Sequence, residues 1–406
     1  MGRNILITNY EISQYSGSEI NAATIAKRFK EKGYKVYMAA LFLGGPLYDQ
    51  VKEYFDEVID VKQNNFDFSN IEFDIVWAHH SFLLNWLIFE NKIKAKKVII
   101  SSLSAKELFE AIPDYSNDLS LILANSEETK EKLEEEGLKE VKLLENYSFK
   151  SYFERNIKVE KLQNIAIVSN HVPEELHEAK KKLIDTGYNV TIYGVEGKRE
   201  LITDKILEKY DAIITIGKTV QYAMSLKIPV YVYDIFGGEG YLTLENLEKN
   251  RKRNFSGRGF EQKTSDQIYD EIIQNFDKTL GITEDIKKYA LERFCFENKI
   301  DEVLQELESK PELDLEQVRK KYKNEERLLL VPRQMYRALK VKHDEDVNRR
   351  EEEFLLLANK LKNEIKQKDD LLNKKQEEIE SGKQELQAIK NSKTWRYANS
   401  IKKFIK

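Results

Sequence analysis

The sequence predicts two α/β domains with mostly parallel sheets, followed by a helical extension at the C-terminal end. Over the first 309 residues, short β-branched runs alternate with segments whose apolar residues have helical spacing, a pattern typical of parallel sheets covered by helices. A charged stretch at residues 154–163 interrupts this alternation and divides it into two series. Beyond Pro311 the chain becomes highly charged, and there we expect helix rather than sheet.

Composition narrows the class of protein. The chain has 406 residues, enough for two domains and an appendage. A net charge of −4 gives no sign of nucleic-acid binding, and no run approaches the ~18 consecutive apolar residues of a membrane-spanning helix. The single cysteine, Cys295, rules out an internal disulfide and fits a reducing compartment. Because no signal peptide is visible near the N-terminus, we expect a cytoplasmic protein with at most peripheral contact with the inner face of the cell membrane.

The first predicted domain covers residues 1–153. Its strand-like runs are residues 4–8, 35–40, 73–80, 97–101 and 121–126. The first helical segment begins with the sequence SGSE at residues 16–19 and ends at Gly33 after basic residues, as helices often do. His79 and His80 end a strand-like run, which places them at the carboxyl edge of the sheet, where open α/β sheets bind ligands.

The second predicted domain covers residues 160–309. Its strand-like runs are residues 165–169, 189–194, 212–216 and 229–233. Between the last two runs, Gly217 breaks the pattern and leads into a helical segment, so that strand, helix and strand form a βαβ unit. Gly237, Gly238 and Gly240 then predict a flexible loop after the last strand. Both glycine breaks fall at strand carboxyl ends, where a ligand is expected.

The break at Gly217 has the properties of an anion site. Glycine allows a ligand to approach the backbone closely, and the start of the following helix offers free N–H groups and the positive end of its dipole. Lys218 adds a positive charge there and Thr219 adds a hydroxyl donor. The spacing differs from that of a Walker loop. We therefore expect a phosphate-bearing ligand, the alternative being that Lys218 is a solvated surface lysine.

Four short motifs in this half of the chain resemble those of a known enzyme family. They are GKTVQYA at 217–223, PVYVYD at 229–234, FGGEGY at 236–241 and NFSGR at 254–258. Together they resemble the nucleotide-binding half of GT-B glycosyltransferases, in particular the bacterial polysaccharide-assembly members of the group 1, family 4-like type. This resemblance implies two facing Rossmann-like domains, with a nucleotide-sugar donor bound by the second. The donor-binding residues that it implies are Gly217, Lys218, Thr219, Gln221, Asp234, Gly237, Gly238, Asn254 and Arg258.

The resemblance also implies roles in the first domain. The family often has D-x-x-H-A-H, and DIVWAH at residues 74–79 matches its last histidine, which suggests His79 as the base for an acceptor hydroxyl or as a hydrogen-bonding partner of the donor sugar. Gly17, Ser18 and Glu19 resemble the loop that touches the acceptor or the donor phosphate, and His80 joins them on the acceptor side. The alternatives are an ordinary helix start with a serine cap and histidines that merely fill a loop.

Two departures from the family pattern leave a second class of function open. Many retaining members have a glutamate on the helix that here reads TVQYA at residues 219–223 and has none, and Glu239 is a candidate catalytic substitute. The basic pair that usually follows the first strand of the second domain is also missing, because residues 169–175 read SNHVPEE. We therefore carry two hypotheses. The first is a hexosyltransferase that transfers sugar to a cell-surface polysaccharide, another glycan or a lipid-linked acceptor. The second is a non-catalytic GT-B-like scaffold that stabilises a partner transferase.

No metal cofactor is predicted. The sequence contains no zinc-ligand spacing, and GT-B enzymes as a rule do not depend on a bound divalent metal. Arg258 is suited to bidentate contact with phosphate, although it could equally pair with Asp234 or Glu239 inside the domain.

The C-terminal part of the chain divides into three predicted segments. Residues 310–345 form a charged helical linker, and residues 346–391 form a coiled coil or a long helix with an imperfect heptad pattern. The coil predicts self-association, whereas a solvated single helix predicts none. Residues 392–406 contain five basic and no acidic side chains, with Trp395 on an apolar helical face, which predicts docking on an anionic membrane surface. A frayed terminus, or a helix packed on the protein itself, is the alternative.

Overall fold

The computed structural model describes residues 2–63, 66–105, 107 and 110–322 of the chain. Further on it describes only residues 368, 375–376, 380–385, 387–393 and 395–396. The chain divides into two compact units, Met1–Arg333 and Gln334–Lys406. The described residues of the second unit are mostly helical and exposed, among them Ile389 and Trp395. Most of the predicted coil and of the predicted basic tail lies outside the described residues.

The first sheet of the larger unit has seven strands, all parallel, in the order β3-β2-β1-β4-β5-β6-β7. The strands are β1 (Asn4–Ile12), β2 (Lys35–Leu43), β3 (Glu57–Asp60), β4 (Glu72–His79), β5 (Lys94–Ser102), β6 (Leu121–Ala124) and β7 (Lys142–Leu143). The five central strands match the predicted ones, because their apolar runs are buried. The two edge strands were missed, because each is short and partly exposed.

The second sheet has five strands in the order β12-β11-β10-β8-β9. They are β8 (Asn164–Val168), β9 (Asn189–Tyr193), β10 (Ala212–Thr215), β11 (Val230–Asp234) and β12 (Gly237–Tyr241). Only the pairing of β11 with β12 is antiparallel. The predicted glycine loop at residues 237–240 was wrong, because these residues form β12 and the turn lies at Ile235 and Phe236. A β-carbon on Gly238 would lie 2.0 Å from the Val232 carbonyl oxygen, so glycine permits the close strand pairing.

Helices cover both sheets. In the first half of the chain they are α1 (Gly17–Glu31), α2 (Gly45–Val51), α3 (Ser81–Asn85), α4 (Glu127–Glu135) and α5 (Lys150–Phe153). In the second half they are α6 (Glu174–Asp185), α7 (Asp204–Leu207), α8 (Lys218–Ser225), α9 (Leu247–Lys252), α10 (Ser265–Gln274), α11 (Phe276–Leu280), α12 (Thr283–Phe294), α13 (Phe296–Ser309) and α14 (Leu315–Lys321). Strand–helix alternation in both halves confirms the predicted α/β fold class.

Helices α12 and α13 belong to different cores. Phe294 at the end of α12 packs into the core of the second domain, whereas Phe296 and Ile300 of α13 pack into the core of the first domain. The chain therefore crosses back between the domains at Cys295, which is buried and forms no disulfide. Apolar burial on each side fixes where the crossing takes place.

The first part of the predicted linker packs against the first domain. The backbone N–H of Leu313 donates to the Lys96 carbonyl at 2.8 Å, and Tyr322 donates its hydroxyl to Asp118 at 2.7 Å. Leu315 and Val318 of α14 are buried. Residues 311–322 are thus a docked segment rather than a free linker.

Among the residues whose structure is described, no helix combines the length and the apolar character needed to cross a bilayer.

Candidate active site

Polar side chains collect at the carboxyl ends of the strands of the second sheet. Asp234, at the end of β11, accepts a hydrogen bond from the Ser169 hydroxyl at 2.7 Å and another from the Ile235 N–H at 2.6 Å. Ser169 in turn accepts from the His171 N–H at 2.9 Å. Burial raises the pKa of Asp234 above its ordinary value. Both carboxylate oxygens are thus used within the domain, where they hold the loops on either side of β10.

The start of α8 is the candidate anion site. Gly217 has a φ of 62°, and a β-carbon added to it would meet no atom within 4 Å, so there is open space beside Gly217. The Gly217 N–H donates to the Phe255 carbonyl at 3.0 Å. In the described part of the chain, no acceptor is found for the backbone N–H groups of Lys218 and Thr219. Unbonded amides at a helix start attract anions.

Lys218 places a cation without a counter-ion at this helix start. Its Nζ is buried and has no hydrogen-bond partner among the residues that the structure describes. It lies 4.2 Å from the ring centroid of Tyr147 and 5.9 Å from that of Tyr222. Burial lowers the pKa of Lys218 to about 7. The alternative of a solvated surface lysine is therefore wrong, and an anion nearby would stabilise the charged form.

Gln221 supports the turn before α8 from inside. Its side chain is buried, and the amide orientation that satisfies both of its polar atoms donates to the Gly217 carbonyl at 2.8 Å and to the Lys218 carbonyl at 3.0 Å. The structure thus places Gln221 behind the helix start, where it braces the backbone. Thr219, by contrast, is partly exposed at the same helix end.

Asn254 and Arg258 contact the first domain. The Asn254 side chain accepts from the Asn146 amide at 2.8 Å, and Arg258 Nη2 donates to Glu128 Oε2 of α4 at 2.5 Å. The pairing of Arg258 with Asp234 or Glu239, considered from the sequence, is not what the structure has. Two residues predicted to bind the donor therefore stand at the boundary between the domains.

Arg251 adds a second ionic contact between the domains, which sequence reasoning missed. It donates to Glu145 at 2.8 Å and lies 3.4 Å from Glu127, both in the first domain, and it also donates to Glu248 at 2.8 Å. Burial raises the pKa of Glu145. The only sequence signal was the basic run at residues 251–253, which does not reveal partners more than 100 positions away.

Glu239 and the two glycines before it belong to the β11–β12 hairpin. Glu239 accepts from the Asn250 amide at 3.2 Å and lies 3.6 Å from Lys249 Nζ. Gly237 packs so closely that an added β-carbon would lie 2.5 Å from the Glu261 carbonyl oxygen. Gly237 and Gly238 are thus required by packing within the domain, and Glu239 is partly exposed beside them.

Glu19 shapes the loop between β1 and α1. Its Oε2 accepts from the backbone N–H groups of Ser13 and Gln14, the latter at 2.8 Å. Its Oε1 is buried and has no partner among the described residues, and burial raises the pKa of Glu19 to about 7. Gly17 faces open space, with no atom within 4 Å of an added β-carbon, and Ser18 is partly exposed. Glu19 therefore holds the loop, while Gly17 and Ser18 form its accessible edge.

His79 is placed differently from the prediction of an accessible base. Its side chain is fully buried, beside Ser101 on the neighbouring strand β5. Neither ring nitrogen has a partner in the part of the chain that the structure describes. Burial lowers the pKa of His79 to about 3, so the ring is neutral at physiological pH. In this conformation it does not reach an acceptor hydroxyl.

His80 belongs to a buried pair with Glu110. The His80 Nδ1 accepts from the Tyr10 N–H at 3.0 Å, and its Nε2 lies 3.4 Å from Glu110 Oε1. Burial by itself would raise the pKa of Glu110, but the contacts with His80 and with the Leu103 N–H hold it below its ordinary value. Sequence analysis did not identify Glu110, because it lies outside any strand or helix pattern.

Comparison with known proteins gives information on the fold. No family model and no curated protein sequence matches the chain. Among solved structures, the chain is similar to a glycosyltransferase from Rickettsia africae ESF-5, with a TM-score of 0.50 and 15% identity over 75% of this chain and 98% of that one. It is also similar to sucrose-phosphate synthase from Thermosynechococcus elongatus, with a TM-score of 0.48 and 9% identity over 75% and 98%. WaaG, a glycosyltransferase involved in lipopolysaccharide biosynthesis, has a TM-score of 0.41 and 10% identity over 70% and 95%.

At these low sequence identities, the comparisons give evidence on the fold alone. The two Rossmann-like sheets, the helix that crosses back to the first domain and the likeness to the Rickettsia structure agree with one another. They confirm the fold expected from the sequence motifs. The chain has the GT-B fold, and the residues described beyond position 367 are mostly helical.

Proposed function

We propose that this protein is a glycosyltransferase that moves a sugar from a nucleotide-sugar donor to a glycan acceptor. The observation that carries the proposal is the start of α8, where an open position at Gly217 and two unbonded amides adjoin Lys218, whose buried Nζ has no partner among the described residues. Such a group fits a diphosphate. On a GT-B fold, the diphosphate ligand is expected to be a sugar nucleotide that binds to the second domain in the cleft between the two domains.

The chemistry follows from where negative charge develops. In the proposed reaction, the bond between the anomeric carbon and a phosphate oxygen breaks, and an acceptor hydroxyl oxygen bonds to that carbon and loses its proton. The departing nucleoside diphosphate gains negative charge, which the α8 dipole, Lys218 and Arg258 stabilise. We propose that these groups, rather than a bound metal, neutralise the diphosphate.

The predicted catalytic residues have different places in this proposal. Glu239 is partly exposed at the hairpin and is proposed to contact the donor sugar. His79 is buried and uncharged, so its proposed role is to shape the floor of the first domain's carboxyl edge. Gly17 and Ser18 are proposed to meet the acceptor, because they form the accessible edge of the β1–α1 loop.

The acceptor class is likewise proposed. A cell-surface polysaccharide or a lipid-linked glycan fits the resemblance of the GKTVQYA and NFSGR motifs to polysaccharide-assembly enzymes. Docking of the basic tail on an anionic membrane would bring the cleft to a lipid-linked acceptor.

Binding of sugar nucleotides tests the proposal. Wild-type protein should be stabilised against heat by one member of a panel of UDP-, GDP- and ADP-sugars, by about 2.7 kcal/mol at a ligand concentration of 100 Kd. Lys218→Met should weaken that binding at least tenfold, whereas Lys288→Met, which changes an exposed lysine of α12, should not. Stabilisation by no member of the panel, in a protein that captures a second transferase, would instead support the scaffold hypothesis.

A further inference from the structure

Arg258 is held by a carboxylate from the other domain in a geometry that leaves part of its guanidinium unused. Only its Nη2 is bonded to Glu128. Its Nε is buried and has no hydrogen-bond partner among the described residues. An arginine normally presents Nε and Nη2 together to a two-oxygen anion. The single contact therefore fills half of an anion position.

Glu128 does not depend on Arg258 for its stability. It lies in the first turn of α4, one residue after Glu127 and two after the cap Ser126, whose hydroxyl accepts from the Thr129 N–H at 3.1 Å. An acidic side chain in a first helical turn is stabilised by the helix dipole. Its side chain is also 23% exposed, so water can replace the arginine. When this ion pair breaks, the Glu128 carboxylate is therefore solvated by water and is not left as an unpaired charge in the interior.

The neighbouring contact between the domains is of the opposite kind. The side chains of Arg251 and Glu145 are only 7% and 10% exposed. Separation of such a pair leaves an uncompensated charge in the interior, which is strongly unfavourable. The Arg251–Glu145 pair thus resists separation, whereas the Arg258–Glu128 pair can exchange its partner.

We propose that Glu128 is an internal competitor for the phosphate of the ligand. In the free protein its carboxylate occupies the anion position on Arg258 and ties α4 to the loop at Gly257 and Arg258. An entering phosphate accepts hydrogen bonds from both Nε and Nη2 of Arg258 and displaces Glu128. The domains then lose their contact at this point. Affinity for the ligand and the freedom of the cleft are therefore coupled through one carboxylate. The inference rests on the proposed function, because it takes the ligand to be a nucleoside diphosphate.

Binding of UDP and of inorganic pyrophosphate, measured by calorimetry at low salt, tests the competition. Glu128→Gln should bind both probes roughly threefold to fivefold more tightly than wild type, the size expected when a partly exposed ion pair no longer opposes binding. The gain should shrink in 0.5 M NaCl. Glu131→Gln, on the same helix and exposed, should change nothing. In an Arg258→Gln background the effect of Glu128→Gln should disappear, because the two act as a pair.

Distances between spin labels in the free protein test whether the Arg258–Glu128 ion pair holds the two domains together. Spin labels on cysteines at Glu135 of α4 and Asp270 of α10, both exposed, in a Cys295→Ser background, report the separation of the domains. Glu128→Gln should broaden the distance distribution of the free protein, and pyrophosphate should broaden that of wild type.

The two measurements separate the two proposals. If no variant binds either probe but Glu128→Gln broadens the distance distribution, the proposed function is refuted, whereas the role of the Arg258–Glu128 contact in holding the domains together is supported. If the probes bind but Glu128→Gln changes neither the affinity nor the distribution, the competitor is refuted and the proposed function stands. A gain in affinity that persists in the Arg258→Gln background also refutes it.

Discussion

At the level of single residues, Lys218 and Glu19 are buried ionisable groups that are incompletely partnered among the described residues. Each has a pKa of about 7, lowered for the amine and raised for the carboxyl, and in both cases burial is the largest cause. Each costs stability, because the folded protein holds its charged form less well than water does. Proteins commonly retain such unfavourable groups where function needs them.

Replacement of Lys218 by methionine should stabilise the protein near neutral pH. The folded pKa of about 7 lies below the ordinary value of 10.5, so the unfolded chain binds more protons between these two pH values. Lys218 therefore destabilises the fold progressively as the pH falls from 10.5 to 7, and by a constant amount below that. Lys218→Met should gain on the order of 4 kcal/mol at pH 7.

Urea unfolding at pH 7 and pH 9.5 measures this gain, which should be smaller at the higher pH. Lys288→Met, at an exposed position, is the matched control and should show no such pH dependence. A variant that loses stability equally at both pH values would contradict the assignment of Lys218 as a buried, unpaired cation.

At the level of elements, the sequence allowed the start of α8 to be predicted but not the hairpin that follows. Gly217 breaks a β-branched run just before a helical pattern, so local spacing suffices to place it. Gly237 and Gly238 look like a loop, because glycine-rich stretches usually are loops. They are glycines because the Val232 and Glu261 carbonyls approach them closely, and such tertiary contacts leave no local pattern.

Gly238→Ala should therefore destabilise the second domain although alanine is only one methyl larger. The added β-carbon would lie 2.0 Å from the Val232 oxygen and 2.7 Å from the Tyr233 Cα. Relief of such a clash requires movement of the backbone. We expect a cost of about 1–3 kcal/mol, as at other overpacked sites. Thermal unfolding should show a lower Tm. Gly17→Ala, at a position with no atom within 4 Å, should leave the Tm within about one degree of wild type, and equal effects at the two sites would contradict this account of the hairpin.

The same limit applies to the partners of the candidate site residues. Motifs identify Arg258 and Asn254 as residues of interest, yet their partners Glu128 and Asn146 lie more than 100 positions earlier in the chain. A single sequence contains no record of which distant side chains meet. His79 was expected at an accessible edge because it ends a strand, but its side chain is buried beside Ser101 of β5, and such contacts between strands leave no local pattern.

At the level of the whole molecule, Arg251 and Glu145 form a buried ion pair between the domains. Arg251→Met leaves Glu145 in the interior without its partner, so we expect a loss of about 3–5 kcal/mol. Glu145→Leu together with Arg251→Met should recover much of this loss, because neither charge then remains buried. Urea unfolding of both variants gives the comparison.

A matched control is Arg28→Met, which removes an arginine of α1 that pairs with the more exposed Asp301 at 3.5 Å. Its cost should stay near or below 1 kcal/mol. If Arg251→Met costs no more than Arg28→Met, the interior character of the Arg251 pair is refuted.

The two passages of the chain between the domains run side by side. Ser148 donates its N–H to the Phe294 carbonyl at 2.8 Å and accepts from the Phe296 N–H at 2.9 Å, so the outgoing and returning segments form a small parallel bridge. Because the two segments are hydrogen-bonded to each other, neither can slide or twist past the other without breaking both bonds. Any change in the angle between the domains would therefore bend both segments together at Ser148 and Cys295.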